Sequence, residues 1–478
     1  MEGNLKRNLS YQTIYQALTV ITPLIVTPYI SRVLGSTNIG IYSYTYSIAY
    51  YFIMFAMLGV TNYGNRTIAS VNNSKEIRSK MFWEIYCFQA LMAIFMTLIY
   101  AIYVLFICNH EKTISMLQII YVLTSLFDIS WLYFGIEDVK PVVVKNTIIK
   151  LISLIGIFTL IRSENDLWLY TILLSGGQLF GCMSMWLTIK KKVIFIRPSW
   201  NGIIKHIKPN LVLFIPVIAI SIYKTMDKIM IGTFCNDSQV GFYTNAENLI
   251  NAPLGFIIAV GNVMLPRITN MLATGETGKS IYYFRKSLKL TMCFGSATAF
   301  GIMAVAPIFV PIYYGPGYDN CVFLLCGQAV VLLILSWANV VRTQFLLPHK
   351  HDRQYILSIF SGAVVNVILN ILLIPKYQAG GALIATIFAE ALVCIIQSCD
   401  AAKYINMFSC LRENLFFFTD GLVMLMGVRI CFRFVEIKNK LVYLGLQIAF
   451  GIVIYLLLLA IYLLLDRKVL KLKNTLEV

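Results

Sequence analysis

The chain has 478 residues, of which 59% are hydrophobic and only 13% are charged, and its mean hydropathy is +0.76. This composition is too apolar for a water-soluble globular protein. The net charge of +17 does not indicate nucleic acid as a partner, because the basic residues follow the two sides of a membrane and are not gathered in one patch.

Fourteen apolar runs of about 20 residues succeed one another along the chain, and each is long enough to cross a hydrocarbon core of about 30 Å as a helix. We expect the first run to be a retained span and not a signal peptide, because it contains Pro23, Pro28 and Arg32 and leads directly into the second. The sequence therefore predicts an all-α, polytopic membrane protein. The predicted spans are residues 10–33, 38–60, 81–108, 114–136, 141–162, 167–189, 209–233, 239–264, 287–312, 320–346, 354–374, 379–400, 412–434 and 441–465.

The distribution of Lys and Arg predicts the orientation of the chain. Of these 39 residues, 29 lie in segments that face the cytoplasm if the N-terminus is inside, and eight lie in segments on the other side. Because positively charged loops stay on the cytoplasmic side of a membrane, this asymmetry predicts that both termini are cytoplasmic. The basic loop at residues 434–440 is an exception, since this scheme places it outside.

The sequence lacks several motifs that are typical of enzymes. It has no HExxH, P-loop or GxSxG motif and no loop long enough to form a catalytic domain. The eleven Cys form no CxxC pair, so structural disulfides are not expected. His349 and His351 lie in a basic loop that is predicted to be cytoplasmic, so no metal site and no other cofactor is expected. We therefore expect a transporter, driven by an ion gradient or by facilitated movement, and not an enzyme.

An internal repeat occurs at an offset of 201 residues. Residues 39–43 correspond to residues 240–244, and Arg66 corresponds to Arg267. Two halves of the same orientation are typical of a parallel repeat, in which the ligand site lies between the halves and one bundle rocks against the other. The expected divisions are a six-helix lobe at residues 1–192, a second six-helix lobe at 193–403, and two additional spans with a basic tail at 404–478.

Span seven contains three charged residues, Lys224, Asp227 and Lys228, whose spacing places them on one face of the helix. A charged residue at the centre of a span costs about 2.5–3.5 kcal/mol, so this face needs a partner or a wet cavity. Counted from the hairpin between spans seven and eight, Glu247 lies at a depth similar to that of Lys224. Two interpretations stay open: a salt-bridge network that joins two helices, and a cationic lining that binds an anionic substrate.

Three further ionisable residues are candidates for a role in transport. Arg32, at the end of span one, either reaches toward the membrane interface or extends the cationic lining. Asp128 in span four and Glu390 in span twelve have no nearby base in the sequence. Each is a candidate site for coupling to protons or sodium ions, and the alternative is an acid that is hydrogen-bonded within the helix bundle.

Five short blocks, in order over about 350 residues, resemble one family of transporters. The first two are Ile30–Gly35 with Ile39–Tyr42, and Asp128–Trp131 with Gly135 and Glu137. The others are Met226–Gly232, Val240–Tyr243 with Ala246 and Glu247, and the segment from Asn366 to Thr386. In these blocks the chain is similar to the Wzx-type oligosaccharide-lipid flippases, which belong to the polysaccharide transporter family of the multidrug/oligosaccharidyl-lipid/polysaccharide exporter superfamily.

The resemblance implies two six-helix lobes around a V-shaped central cavity, with two extra helices at the C-terminus, in the bacterial cytoplasmic membrane. The implied substrate is an undecaprenyl-diphosphate-linked oligosaccharide repeat unit, which is turned over to the outer leaflet for assembly of capsule, exopolysaccharide or O-antigen. A polysaccharide polymerase and chain-length machinery are the implied partners, together with membrane lipids. A diphosphate is an anion and needs fixed positive charge to cross a low-dielectric core. The expected substrate-binding residues are Arg32, Lys224, Asp227, Lys228 and Glu247.

Three alternatives stay open. Fourteen spans depart from the twelve that are common in this family, and fourteen are known for relatives that flip the peptidoglycan lipid precursor. A cation-coupled drug exporter of the same superfamily should line its cavity with acids and not with Lys224 and Lys228. A membrane-embedded polysaccharide polymerase or ligase is disfavoured because the outward loops are short.

Overall fold

The computed structural model describes residues 19, 21–72, 74–108, 110–435 and 437–476, without the side chains at positions 216, 223, 224 and 465–476. Within this part of the chain the regular structure is helical and no residue forms a strand, which confirms the all-α prediction. Twelve helical segments among the described residues are long and apolar enough to cross a membrane. They coincide with the predicted spans two to six and eight to fourteen, so the chain is a multi-pass membrane protein.

The helices are numbered from the first described one, α1, at residues 21–33. Those that follow up to the middle of the chain are α2 Gly35–Met57, α3 Val60–Ser70, α4 Lys75–Ile102, α5 Lys112–Leu117, α6 Ile119–Phe127, α7 Ser130–Gly135, α8 Lys140–Leu160, α9 Leu167–Trp186, α10 Trp200–Lys205 and α11 Ile207–Phe234. The remaining helices are α12 Asp237–Ala273, α13 Thr277–Tyr313, α14 Asn320–Val341, α15 Asp352–Tyr377, α16 Ala379–Ala401, α17 Met407–Cys431 and α18 Lys440–Leu476.

Two of the predicted spans are not among the twelve candidate segments. The predicted span one begins at residue 10, and most of it lies outside the described residues; its last part is α1. The predicted span seven is α11, which has 28 residues and is therefore about 42 Å long. It contains the charged residues Lys224, Asp227 and Lys228, and the side chains at positions 216, 223 and 224 lie outside the described residues.

The chain divides into two compact units, Met1–Thr244 and Asn245–Val478. In the first unit α2 packs on α4 and α6, α8 packs on α9, and α11 packs on α2 and α3. In the second unit α13 packs on α14 and α17, and α15 packs on α16. The lobes expected at residues 1–192 and 193–403 stay a prediction.

Two breaks in the helices of the first unit have clear physical causes. Between α2 and α3 the chain passes through a left-handed conformation at Gly59, where φ is +84°. A Cβ atom at Gly59 would lie 2.6 Å from the carbonyl oxygen of Asn210 in α11. Glycine is required here because the backbone of α11 approaches so closely and because φ is positive.

The second break divides the predicted span four into α6 and α7. The Asp128 carboxylate accepts a hydrogen bond from the backbone N–H of Ser130, at 2.9 Å, and so caps the start of α7. The amide of Gln89 in α4 donates to the carbonyl oxygens of Ser125 and Asp128, at 2.6 and 2.8 Å. These bonds satisfy backbone groups that the interrupted helix leaves without partners.

Candidate functional site

Helix α11 lies antiparallel to α2 and α3 along most of its length. The contacts join Tyr44 with Gly232, Tyr51 with Ser221, and Gly59 with Asn210. The ring of Tyr44 packs directly on the backbone of α11, because a Cβ atom at Gly232 would lie 2.2 Å from its Cδ2 atom. The hydroxyl of Tyr51 donates to the carbonyl oxygen of Ser221 at 3.2 Å. The helix with the charged triplet is therefore anchored to the second predicted span.

The starts of α2 and α12 cross at two glycines. A Cβ atom at Gly40 would lie 1.7 Å from the carbonyl oxygen of Asp237, and a Cβ atom at Gly241 would lie 2.0 Å from the carbonyl oxygen of Ser36. Gly40 and Gly241 are separated by 201 positions, and so are Ser36 and Asp237. The two contacts are therefore the same contact made once by each repeat, as expected for helices related by a local two-fold axis.

A histidine–carboxylate pair lies beside this crossing. The Nε2 atom of His110 is 3.1 Å from a carboxylate oxygen of Asp237. The His110 ring also packs edge-on against Tyr44, with 5.5 Å between the ring centroids. This pair connects the chain before α5 to the start of α12, so side-chain contacts reinforce the glycine crossing.

The structure describes only part of the charged face predicted for span seven. The Asp227 side chain is 2% exposed and accepts a hydrogen bond from the hydroxyl of Tyr243 in α12 at 2.7 Å. Lys228 is half-buried on the same helix, and the Lys224 side chain lies outside the described residues. The bond between Asp227 and Tyr243 joins α11 to α12, and the salt-bridge interpretation stays a prediction. The lining role of the two lysines stays a prediction.

The other predicted site residues lie on different helices or at a break between helices. Arg32 is exposed near the end of α1, and Asp128 is half-buried at the break between α6 and α7. In the second unit Glu247 is half-buried on α12, and Glu390 is buried on α16. The roles of these four residues in substrate binding and ion coupling stay predictions.

A buried hydrogen-bonded chain, which the sequence analysis missed, joins α3, α4 and the start of α11. The Nδ1 atom of His206 is 2.7 Å from the hydroxyl oxygen of Tyr63. Its Nε2 atom is 3.4 Å from a carboxylate oxygen of Glu84. The side chains of His206 and Glu84 are only 2% and 3% exposed. Two titratable groups are thus enclosed where three helices meet.

Local structure positions both members of this pair. His206 directly precedes α11, and its carbonyl oxygen accepts a hydrogen bond from the side chain of Asn210 at 2.8 Å. The Ser199 hydroxyl caps α10 by accepting from the N–H of Gly202 at 3.1 Å, and it also lies 3.5 Å from Glu84. A Cβ atom at Gly202 would lie 2.1 Å from the Glu84 carboxylate, so this position must be glycine for the acid to fit.

The electrostatic surroundings favour neutral His206. Burial lowers the pKa of His206 below its usual range, and the positive charge of Lys205 acts in the same direction. The hydrogen bond to Glu84 opposes this shift but does not cancel it. The imidazole therefore needs a more acidic medium to become charged than an exposed histidine does.

A basic pocket of about 580 Å³ lies next to this buried chain. Its lining residues are Tyr63, Arg66, Thr67, Ser70, Lys208, Pro209, Val212 and Leu213. Arg66 and Lys208 are both exposed, and no described residue forms an ion pair with either of them. Tyr63 belongs to both features, so the pocket and the His206–Glu84 pair share one side chain.

These features define a multi-pass α-helical membrane protein with an internal repeat, in which charged and titratable groups are enclosed among the spans. A family model described as "Polysaccharide biosynthesis protein" matches residues 5–272, which is more than half of the chain. The chain belongs to this polysaccharide biosynthesis protein family.

Three known proteins are similar to this chain, one in sequence and two in fold. The chain is 25% identical over 395 residues to a protein of Escherichia coli strain K12 described as "Putative O-antigen transporter", covering 82% of this chain and 95% of the relative. The solved structure of the lipid II flippase MurJ in an inward closed conformation matches with a TM-score of 0.74 at 15% identity, covering 95% of this chain and 98% of that chain. An inward-facing multidrug resistance transporter of the MATE family matches with a TM-score of 0.61 at 13% identity, covering 85% and 99%. At these identities the two structures show the fold that they share with this chain.

Proposed function

We propose that this protein is a flippase that moves an undecaprenyl-diphosphate-linked oligosaccharide repeat unit across the bacterial cytoplasmic membrane, for assembly of capsule, exopolysaccharide or O-antigen. The observation that carries the proposal is membership of the polysaccharide biosynthesis protein family. It is supported by the relative described as an O-antigen transporter, which aligns with most of both chains. In this role the protein is a transporter and not an enzyme, and it hands its cargo to polysaccharide polymerase and chain-length machinery.

The proposed mechanism is alternating access between two repeats. With both termini in the cytoplasm, the Gly40–Gly241 crossing lies on the outer side of the membrane. Rocking of the repeats has to separate this crossing, because it brings the starts of α2 and α12 into backbone contact. Cysteines introduced at positions 317 and 275 test the orientation: only the cysteine at 317 should react with an impermeant thiol reagent in intact cells.

The diphosphate is the part of the substrate that crosses the membrane core least easily without the protein. Its negative charge is costly in the membrane core, and fixed positive charges lower that cost. We assign this role to Lys224 and Lys228, with help from Arg32, and we place Asp227 and Glu247 in the same lining. The Asp227–Tyr243 hydrogen bond supports a second role for Asp227, which is to hold α11 against α12.

Replacement of Lys228 tests the function and the site together. In a strain that lacks its own flippase, Lys228→Gln should stop export of the polysaccharide and trap lipid-linked repeat units in the inner leaflet, at an unchanged protein level. Lys228→Arg should keep part of the activity, because the positive charge is retained. Lys80→Gln, which changes an exposed lysine of α4, is the matched control and should export normally.

The outcome separates the site from the function. If the wild-type protein does not restore export, the proposed function is wrong. If the wild-type protein restores export and a charge-swapped pair at Asp227 and Lys228 transports normally, the substrate does not sense net positive potential, and the assignment of the lysines is wrong.

The fold alone does not separate the proposed function from two others. The lipid II flippase and the multidrug transporter share this fold, and each transports a different class of molecule according to its name. A drug exporter that carries cations is disfavoured because the predicted lining is cationic. Restoration of drug resistance, without any effect on polysaccharide export, would favour the exporter.

The proposed energy source is an ion gradient, with Asp128 and Glu390 as the coupling residues predicted from the sequence. Asp128 also caps α7 through the N–H of Ser130, so its carboxylate has a structural role. Glu390 is 7% exposed on α16. Loss of gradient dependence in Asp128→Asn or Glu390→Gln, with normal insertion into the membrane, would support either residue.

A further inference from the structure

We propose that Glu84 and His206, linked to Tyr63, form a proton-binding site that controls the attachment of the start of α11 to α3 and α4. The inference rests on the proposed function only for its link to transport. It assigns proton binding to His206, with Glu84 and Tyr63 as its hydrogen-bonding partners. The sequence predicts no role for these residues, which lie at the end of α11 that precedes the charged triplet.

The hydrogen-bonding capacities of Tyr63, His206 and Glu84 determine which side chain donates in each protonation state of His206. A neutral imidazole has one donor and one acceptor nitrogen. The Tyr63 hydroxyl can then donate to Nδ1 of His206, while Nε2–H donates to ionised Glu84. A protonated imidazole has two donors, so the bond between His206 and Tyr63 must reverse its direction. One proton therefore changes the charge and also the donor pattern where the three helices meet.

The surroundings of His206 contribute three titratable groups from three different elements. Glu84 approaches from α4, Tyr63 from α3, and Lys205 from the end of α10. Removing the proton from His206 leaves the buried Glu84 carboxylate next to a neutral ring, and adding it creates a buried ion pair under the positive charge of Lys205. Buried groups of this kind are costly in one of their states, which makes them sensitive to pH.

The place of His206 in the fold gives the proton a mechanical consequence. His206 immediately precedes α11, the 28-residue helix that contains Asp227 and Lys228. One turn later, Asn210 bonds back to the carbonyl oxygen of His206 and contacts the break at Gly59. A change in the His206 contacts therefore acts on the start of a helix that is about 42 Å long and that reaches the glycine crossing at its other end.

The sign of the pH effect follows from the lowered pKa of His206. Because the folded state favours the neutral ring, its contribution is fully present above the ordinary histidine pKa of about 6.5. It is lost as the pH falls through the lowered pKa of the folded state. Acidification should therefore loosen the start of α11, and neutral pH should hold it in place.

The second unit contains a matched control for this site. Arg285 is separated from Glu84 by 201 positions and forms an ion pair with Glu413 of α17 at 2.9 Å. Lys289 approaches the same carboxylate at 3.2 Å. These side chains are 29–33% exposed, and neither Arg nor Lys changes its charge near neutral pH. The Glu413→Gln variant therefore removes an ion pair without removing a histidine.

Hydrogen–deuterium exchange of the full-length protein in lipid nanodiscs, between pH 8 and pH 5, tests the site without any substrate. After correction for the intrinsic pH dependence of exchange, amides of residues 200–215 should lose protection on acidification in the wild-type protein. The ratio of protonated to neutral His206 rises about tenfold for each unit by which the pH falls. The loss of protection should therefore follow the titration curve of a single group. His206→Gln should abolish this pH dependence, and Glu84→Gln should move its midpoint to a lower pH because it removes the contact that raises the pKa of His206. Tyr63→Phe should shift the midpoint, and Glu413→Gln should keep the pH dependence.

Pairing the exchange experiment with export separates this inference from the proposed function. Protection of residues 200–215 that does not change with pH in the wild-type protein would overturn the inference, whatever the transport result. The same holds if His206→Gln keeps the full pH dependence. If the pH effect occurs as expected but the wild-type protein exports no polysaccharide, the proton site stands and the flippase assignment is wrong.

Discussion

Helices α4 and α13 occupy equivalent positions in the two repeats. Each forms a side-chain contact with a segment outside the six-helix lobe to which it is predicted to belong. In the first unit Glu84 of α4 contacts His206 before α11. In the second unit Arg285, at the equivalent position of α13, contacts Glu413 of α17. The acid and the base have exchanged places, and the first pair is 2–3% exposed while the second is 29–33% exposed. The equivalent contact is thus built once from a buried pair that contains a histidine and once from a partly exposed pair that contains an arginine.

This difference indicates where the molecule can respond to protons. Histidine is the side chain whose charge changes near neutral pH, whereas arginine stays charged. Burial adds to the contrast between the two pairs, because a charged group is more costly where water is excluded. Pairwise changes at equivalent positions of the two units separate the effect of position from the effect of chemistry.

The largest expected effect comes from removing the acid of each pair. Glu84→Ala should lower the stability by about 1–3 kcal/mol, because it leaves the buried N–H donor of neutral His206 without its acceptor. Glu413→Ala should cost about 1 kcal/mol or less, because partly exposed ion pairs contribute little. Thermal unfolding of the purified protein in detergent measures both. Equal shifts in the unfolding temperature would mean that burial does not distinguish the two contacts.

The glycine crossing should respond alike from both repeats. Gly40→Ala and Gly241→Ala each place a Cβ atom within 2.0 Å of a backbone oxygen, and overpacking of this kind costs about 1–3 kcal/mol. Gly176→Ala is the control, because no atom lies within 4 Å of a Cβ atom at that helical position. Unfolding temperatures and the amount of folded protein in the membrane measure the effect. A strong effect at only one of the two crossing glycines would contradict the local two-fold relation.

The smallest expected effect concerns the equivalent arginines Arg66 and Arg267. Arg267 donates to the hydroxyl of Tyr283 at 2.7 Å and lies 4.1 Å from the centre of its ring. An exposed cation–π contact contributes about 0.5–1 kcal/mol, so Arg267→Gln should slightly lower the unfolding temperature. Arg66→Gln should leave it unchanged, because Arg66 lines an open pocket. A larger loss for Arg66→Gln would indicate that the pocket arginine stabilises the fold.

Much of the fold could be predicted from local properties of the sequence. Apolar runs of about 20 residues indicate spans, and twelve of the fourteen predicted spans coincide with candidate membrane segments. The repeat was visible because Gly40 and Gly241 stand at the same place in similar pentapeptides. The reason for these glycines was not visible, since it depends on the carbonyl oxygens of Asp237 and Ser36 that approach them.

The candidate site was predicted less completely, because the sequence shows which charged residues lie within a span but not which residues of other helices contact them. The Lys224, Asp227 and Lys228 triplet was found from its spacing on one helix. One partner of Asp227, Tyr243, lies on the next helix and was not identified from the sequence. Asp128 is a lone acid in the sequence, and the structure adds a hydrogen bond from the N–H of Ser130 to its carboxylate, where the predicted span four is interrupted.

The sequence by itself determined that this is a helical membrane protein with a repeated half, because chain length, hydropathy and charge asymmetry act locally along the chain. Only the tertiary structure decided that His206 meets Glu84, since 122 positions separate them and each has ordinary neighbours in the sequence. Their contact depends on how α3, α4 and α11 pack, and on the glycine at 202 that leaves space for the carboxylate. Burial then changes the chemistry of the histidine, because excluding water makes the charged ring more costly than the neutral one.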